Sequence, residues 1–138
     1  MSEGGEQLKD FLRELPPGAR PLFWNLFRRR PVGKDALRDA LEAYVRLVKA
    51  TVLSNERVNQ DAARALARGL ALLLKEEHDG LGGFDQRLLQ AAVFYFVEDD
   101  DGDADFDSED GFDDDIEVFN AVAERFGRGE LAIDLLWG

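Results

Sequence analysis

A dense acidic stretch between two apolar segments constrains the fold of this 138-residue chain more than any other feature. Residues 98–117 contain thirteen acidic side chains and no basic one. The stretch follows the most apolar run of the sequence, residues 88–97, and leads into an amphipathic segment, residues 116–126. Because both neighbouring segments are core-forming, the fold must hold this self-repelling charge in an internal loop rather than in a tail.

The acidity of the chain is confined to this stretch. Residues 1–97 carry 15 basic and 13 acidic side chains, residues 118–138 carry 2 and 3, and the net charge of the whole chain is −12. The absence of a net basic face argues against nucleic-acid binding. The charge favours a cationic partner, a metal ion or a role in solubility alone.

Hydrophobic periodicity elsewhere predicts an all-α fold, a single compact domain of five to seven helices with the acidic loop between the two C-terminal core helices. No segment shows the alternation typical of strands. The predicted helices span residues 5–15, 21–30, 34–53, 56–78, 86–97 and 114–126, with a short last helix within 129–138. These make one domain over 1–138, with an N-terminal helical pair in 1–31 and a core in 34–126 that contains the acidic loop, residues 98–113.

Local signals refine this prediction at three places. The segment 86–97 is apolar nearly all round, which places it at the centre of the core, and Asp85 is its predicted cap. Residues 113–115, three aspartates, favour the start of the next helix because carboxylates stabilise a helix N-terminus. Gly127 suits the position just after that helix.

The sequence shows no catalytic signature. There is no cysteine, and the only histidine, His78, lies at the end of the long predicted helix 56–78, where a favourable interaction with the helix dipole is its expected role. No serine lies in a nucleophile-elbow context. The N-terminal residues lack a signal-peptide pattern, and the run 88–97 is about half as long as a membrane-spanning helix. We therefore expect a non-enzymatic cytoplasmic protein.

One hypothesis for the acidic loop is a divalent-cation site for Ca²⁺ or Mg²⁺. Asp101, Asp103, Asp105 and Asp107 alternate along the chain, and carboxylate oxygens are the ligands that these cations prefer. No register, however, places a glycine sixth after an Asp-x-Asp-x-Asp start, so the loop is not an EF-hand. A solvated loop that also caps the following helix remains the plain alternative.

A second hypothesis makes the loop a docking site for a basic protein partner, which its carboxylates would attract over a distance. Asp103 and Asp107 would supply charge, while Phe106 and Phe112 would act as anchors or would instead pin the loop to the core. The cluster Arg28-Arg29-Arg30 is a further candidate interaction site, for a phosphate, a lipid head group or carboxylates, including those of the loop itself.

Part of the chain, residues 89–126, resembles the YkvA-like family of small helical bacterial proteins of unknown function. The resemblance is carried by the apolar run ending Phe94-Tyr95-Phe96, by Asp101 and Asp105, and by Gly111-Phe112-Asp113-Asp114-Asp115. Asp99 and Ala104 stand where the family has prolines. The resemblance implies a helical fold without an established activity, and it singles out Asp101, Asp105, Asp114 and Asp115 as the candidate metal ligands or helix-capping residues.

The leading hypothesis from the sequence is thus a non-enzymatic protein that acts through protein–protein contact at the acidic loop. Divalent-cation binding by the same aspartates is the first alternative. Peripheral membrane association through the aromatic-rich helix 21–30 is the second, which its short length and the net charge of −12 both oppose. The partner's identity and the oligomeric state are left open by the sequence.

Overall fold

The computed structural model describes residues 2–54, 60–98 and 113–133, with side chains described for 7–47, 64–97 and 115–133. Its α-helices in these ranges are α1 (Ser2–Leu12), α2 (Arg20–Phe27), α3 (Lys34–Ser54), α4 (Gln60–Glu76), α5 (Gly83–Glu98) and α6 (Asp113–Arg125). One-turn 3₁₀ helices span Pro17–Ala19, His78–Gly80 and Gly129–Leu131. No strand occurs in the described ranges, which confirms the all-α fold predicted from periodicity.

Helix α5 lies at the centre of the fold, as its apolar sequence predicts. It packs against α2, α3, α4 and α6. Leu88, Leu89 and Val93 are completely buried, and Tyr95 and Phe96 are buried at its C-terminal end. Burial of a large apolar side chain is worth about 1.5–3 kcal/mol, so the buried residues of α5 make a large contribution to hydrophobic stabilisation.

The amphipathic faces predicted for the neighbouring helices point into this core. Leu37, Leu41 and Tyr44 of α3 are buried, and the Tyr44 ring packs edge-on against Phe96 with 4.7 Å between the ring centres. The predicted core positions of α4 and α6 that are buried are Leu66, Leu70, Leu73, Leu74, Ile116, Phe119, Val122 and Ala123. The predicted α3 positions Val48 and Val52 lie outside the described side chains.

Both N-terminal helices end earlier than predicted, and they also begin earlier, α1 at Ser2 and α2 at Arg20. Helix α1 ends at Leu12, and Leu15 instead donates a tight turn hydrogen bond to the Leu12 carbonyl before Pro16. Helix α2 ends at Phe27 rather than at Arg30. In both places a proline follows within a few residues, and the residue before a proline avoids the helical conformation.

The start of α5 corrects a second prediction, because the helix begins at Gly83 instead of after Asp85. Asp85 therefore lies within the first turn and does not cap the helix. Its carboxylate still faces the positive end of the helix dipole, and it accepts a 2.8 Å hydrogen bond from Nε of Arg125 in α6. The pair ties the beginning of α5 to the end of α6.

The two ends of α6 agree with the sequence signals. The helix begins at Asp113, and Gly127 follows its end with a φ of 77°. The Gly127 amide donates to the Glu124 carbonyl at 3.0 Å, and the Arg128 amide donates to the Ala123 carbonyl at 2.8 Å. This pair of hydrogen bonds is a Schellman motif, which requires the left-handed conformation that glycine adopts without strain.

The described part of the predicted C-terminal helix is a single 3₁₀ turn, Gly129–Leu131, followed by extended backbone at Ala132. Asn120 of α6 explains the extension, because its amide side chain binds both backbone groups of Ile133. Asn120 Nδ2 donates to the Ile133 carbonyl at 2.8 Å, and the Ile133 amide donates to Asn120 Oδ1 at 2.7 Å. Residues 134–138 of the predicted helix lie outside the described residues.

Arg128 fixes the segment that follows α6 to the end of α4. Its Nη1 donates to Glu76 and to Glu77, each at 2.9 Å, and its Nε donates to Glu130 at 2.7 Å. The hydrogen bond from Arg128 holds the pKa of Glu130 below its ordinary value. This cluster and Asn120 together hold residues 128–133 against the helical core.

Candidate functional site

The acidic loop connects two helices that are both anchored in the core. On its N-terminal side, Tyr95 and Phe96 near the end of α5 are buried. On its C-terminal side, Asp115 and Ile116 in the first turn of α6 are buried, and α5 and α6 pack against each other. Both ends of the loop are therefore fixed relative to one another, as its position between two core-forming segments predicts.

Most of the residues predicted to act within the loop lie outside the described part of the chain. These are the predicted metal ligands Asp101 and Asp105 and the predicted interaction residues Asp103, Phe106, Asp107 and Phe112. For Asp114 the structure describes the backbone, which is helical in the first turn of α6, but not the side chain. Asp115 is the one candidate metal ligand whose side chain is described.

The carboxylate of Asp115 is buried in the first turn of α6. The residue is 2 % exposed, and both carboxylate oxygens are shielded from solvent. A buried carboxylate is costly unless other groups stabilise its charge, and a position in the first turn of a helix is one that the helix dipole favours for a negative charge. Asp115 therefore belongs to the buried junction between the acidic loop and the core, and it is not one of the solvated acidic residues.

The structure places the arginine cluster, Arg28-Arg29-Arg30, after the end of α2 and exposes all three residues. The guanidinium carbon of Arg29 lies 5.3 Å from the centre of the Phe94 ring in α5, within the range of a cation–π contact. Phe94 precedes the last residue of α5 by four positions, about 6 Å of helix rise. The cluster therefore lies near the point where the acidic loop begins.

A side chain of α5 holds the connector between α2 and α3. Gln90 is 3 % exposed, and its Nε2 donates to the Arg30 carbonyl at 2.9 Å. Its Oε1 accepts a hydrogen bond from the Val32 amide at 2.8 Å. This amide clamp, Gln90 with Arg30 and Val32, fixes the backbone beyond the arginine cluster. Gln90 interrupts the apolar run 88–97, and a polar side chain at such a position usually has a hydrogen-bond partner, so the sequence could have indicated this contact.

An open cleft of about 640 Å³ lies beside this clamp, and sequence reasoning did not find it. We call it the α2–α5 cleft. It is bounded by the end of α2, the connector 31–33, the turn at His78 and the first two turns of α5. Its lining includes Phe27, Val32, His78, Phe84, Arg87 and Gln90. The Phe27 and Phe84 rings pack 5.2 Å apart, which gives the cleft an aromatic wall.

His78 lines the cleft from the turn after α4 and is bound to its neighbour Asp79. His78 Nδ1 lies 3.3 Å from Asp79 Oδ1, and Lys34 Nζ donates to Asp79 Oδ2 at 3.0 Å. The hydrogen bond from Lys34, followed by that from His78, lowers the pKa of Asp79 below its ordinary value. Asp79 consequently stays ionised, and its charge is already shared between two partners.

Two features of the described residues bear on the metal and membrane hypotheses raised by the sequence. Within the described residues, no group of three or more histidines, aspartates or glutamates is arranged to hold a metal ion. In the same part of the chain, no helix has the length and apolar character needed to cross a membrane.

No protein-family model, curated protein or solved structure matches this chain. The resemblance to the YkvA-like family therefore stays a prediction.

Proposed function

We propose that this is a non-enzymatic cytoplasmic protein that binds a basic partner protein through its acidic loop. The observation that carries the proposal is the anchoring of the loop between α5 and α6, whose ends at the loop are buried in the core. The helix ends that flank the acidic loop in the sequence are therefore held close to one another, because α5 and α6 pack together. Residues 99–112 alone contain eight acidic side chains and no basic one.

The physical argument rests on repulsion within the loop. Eight carboxylates held within fourteen residues repel one another, and a basic surface relieves this repulsion as it binds. Each solvent-exposed ion pair contributes about 0.2–1 kcal/mol, so affinity requires several pairs together. Such binding is fast and falls steeply with added salt, because the Debye length is about 10 Å at 0.1 M ionic strength.

The experiment compares capture of proteins by two charge-matched variants. The loop variant changes Asp101, Asp103, Asp105 and Asp107 to Asn. The control variant changes four other acidic residues that form no ion pair with a described residue, and it alters the net charge by the same amount. These control residues are Glu14, Asp39, Glu117 and Glu124, each changed to its amide.

We expect wild type and the control variant to capture the same basic protein at low salt, and the loop variant to lose it. The purified partner should then bind wild type with an affinity that falls by about tenfold or more between 50 and 200 mM salt. Equal losses in both variants would show that net charge alone is responsible and would overturn the proposal. Unaltered capture by the loop variant would do the same.

A second candidate function, divalent-cation binding, is favoured by the burial of Asp115. Asp115 offers Ca²⁺ or Mg²⁺ the oxygen ligands that these cations prefer, at the side of a loop rich in aspartate. The test is a thermal melt with calcium, magnesium, manganese or a chelator, on wild type and on Asp114→Asn/Asp115→Asn. A rise of several degrees for one ion that the double variant lacks would support this candidate, since only the folded state would bind the ion.

The third candidate function, membrane association through α2, requires an exposed apolar surface on that helix, and most of this surface is buried in the structure. Phe23, Leu26 and Phe27 of α2 are buried, and the helix packs against α5. Leu22 and Trp24 remain half-buried against the same core. Co-sedimentation with anionic vesicles, compared between wild type and Trp24→Glu, tests what remains of this alternative.

A further inference from the structure

The α2–α5 cleft contains a cation whose charge no described carboxylate balances. Arg87 of α5 lines the cleft and is partly buried. Its guanidinium carbon lies 5.8 Å from the centre of the Phe27 ring. Within the described part of the chain Arg87 forms no ion pair, whereas the nearby cations Lys34 and Arg125 each have a carboxylate partner.

The carboxylates near the cleft are already engaged. Asp79 binds Lys34 and His78, and Asp85 binds Arg125. Because Arg87 is partly removed from water and stacks on an aromatic ring, a negative group that entered the cleft would gain a charge-assisted hydrogen bond at reduced desolvation cost. The electrostatics of the cleft therefore favour an anionic ligand over a neutral or cationic one.

The side chains that line the cleft indicate the chemical character of the rest of the ligand. Phe27 and Phe84 form an aromatic wall, and Val32, which is 38 % exposed, lies at the cleft as well. The volume of about 640 Å³ is within the range of small-molecule sites. Apolar walls of this kind stabilise the apolar part of a ligand, which we call its body, because they remove its surface from water.

We propose that the α2–α5 cleft binds a small monocarboxylate with an apolar, ring-sized body. The guanidinium of Arg87, which lies over the buried Phe27 ring, pairs with the carboxylate through two parallel N–H···O hydrogen bonds, and the body packs beside it against the partly exposed Phe84. The single positive charge of Arg87 balances the charge of a monocarboxylate, whereas a phosphate dianion would keep one uncompensated negative charge in the cleft. The residues that line the cleft lie outside the acidic stretch of the sequence, so the proposal does not depend on the proposed function.

The probe for the test is 3-phenylpropionate, and its neutral counterpart is 3-phenylpropionamide. Binding is measured by saturation-transfer NMR over a concentration series. We expect the carboxylate to bind wild type in the millimolar range or tighter and at least about tenfold better than the amide. Arg87→Gln should weaken binding of the carboxylate by about tenfold or more, whereas Arg87→Lys should weaken its binding less. The matched control is Arg68→Gln on α4, an exposed arginine with no described ion pair.

A second variant keeps the test decisive if Arg87→Gln does not fold. Val32→Glu places a carboxylate at the cleft, where it should compete for Arg87 and weaken the binding of 3-phenylpropionate. Val32→Gln, which adds no charge, should leave this binding unchanged. Three results would each overturn the proposal: no saturable binding of the carboxylate to wild type, equal binding of the amide, or an equal loss in Arg68→Gln. Inorganic phosphate that displaced the probe at equal concentration would contradict the assignment of a monocarboxylate.

Discussion

Phe119 of α6 lies directly against the backbone of α4 at Gly69. A Cβ added to Gly69 would meet the Phe119 ring, with only 2.9 Å to its Cε1 atom. Phe119 is 1 % exposed and surrounded by core residues, so its ring has little room to move away. The absence of a side chain at one position on α4 therefore sets how closely α6 can approach.

We predict that Gly69→Ala destabilises the protein even though alanine is the better helix former. The gain in helix propensity is about 1 kcal/mol, and the cost of overpacking a core is about 1–3 kcal/mol. The free energy of unfolding, measured with urea, should therefore fall by up to about 2 kcal/mol.

A double variant separates this steric effect from other causes. Phe119→Leu removes part of the ring that the added methyl group would meet, so Gly69→Ala should cost less in the Phe119→Leu background than in wild type. The coupling energy should exceed about 0.5 kcal/mol, as is usual for residues in contact. Additive effects would contradict the explanation.

The left-handed backbone at Gly127 leads to a second prediction. Its φ of 77° allows the Schellman hydrogen bonds that end α6, and a Cβ in that conformation costs about 1–2 kcal/mol. Gly127→Ala should lower the free energy of unfolding by about that amount. Gly129→Ala is the matched control, because Gly129 has an ordinary φ and a Cβ there would meet only Glu124 Cγ, at 3.8 Å. Equal losses in the two variants would show that backbone strain is not the cause.

The amide clamp leads to a third prediction. Gln90→Leu fills a similar volume but leaves the Arg30 carbonyl and the Val32 amide without their partner. We expect a loss of about 1–3 kcal/mol in stability and faster hydrogen exchange of the Val32 amide. The control is Gln86→Leu, which removes a single hydrogen bond, to the His78 carbonyl. An unchanged exchange rate at Val32 would contradict the clamp.

The parts of the fold that periodicity and local signals determine were predicted from the sequence. The buried face of α3 follows the spacing of Leu37, Leu41 and Tyr44, and the position of α5 follows its continuous apolar surface. The helix end at Gly127 follows from glycine's backbone freedom. Each of these features depends on residues close together in the chain.

The features that the sequence did not predict depend on contacts between distant residues. Gln90 binds a backbone amide 58 positions away, and Arg128 binds glutamates more than 50 positions away. The α2–α5 cleft likewise exists only once α2, the His78 turn and α5 have come together. Periodicity carries no information about such pairings. The candidate loop was found from its charge alone, and most of its predicted site residues lie outside the described part of the chain.

The last prediction concerns pH and the ion pair between Lys34 and Asp79, which joins the start of α3 to the turn after α4. The hydrogen bonds from Lys34 and His78 lower the pKa of Asp79 in the folded state. A carboxyl group whose folded pKa is lowered stabilises the protein above its unfolded pKa, which is about 3.9 for aspartate. That stabilisation is lost as the pH falls through the lower, folded pKa.

Asp79→Asn should therefore be less stable than wild type at pH 7, and the difference should begin to shrink near pH 4 and disappear only below the lowered pKa of Asp79 in the folded state. Urea denaturation of both proteins, at several pH values from neutral to acid, measures the difference directly. Asp39→Asn is the control, since Asp39 is exposed and has no ion pair with a described residue. A difference that grew as the pH fell would have the wrong sign for a carboxylate stabilised by Lys34, and the ion pair would then contribute nothing to the stability of the junction.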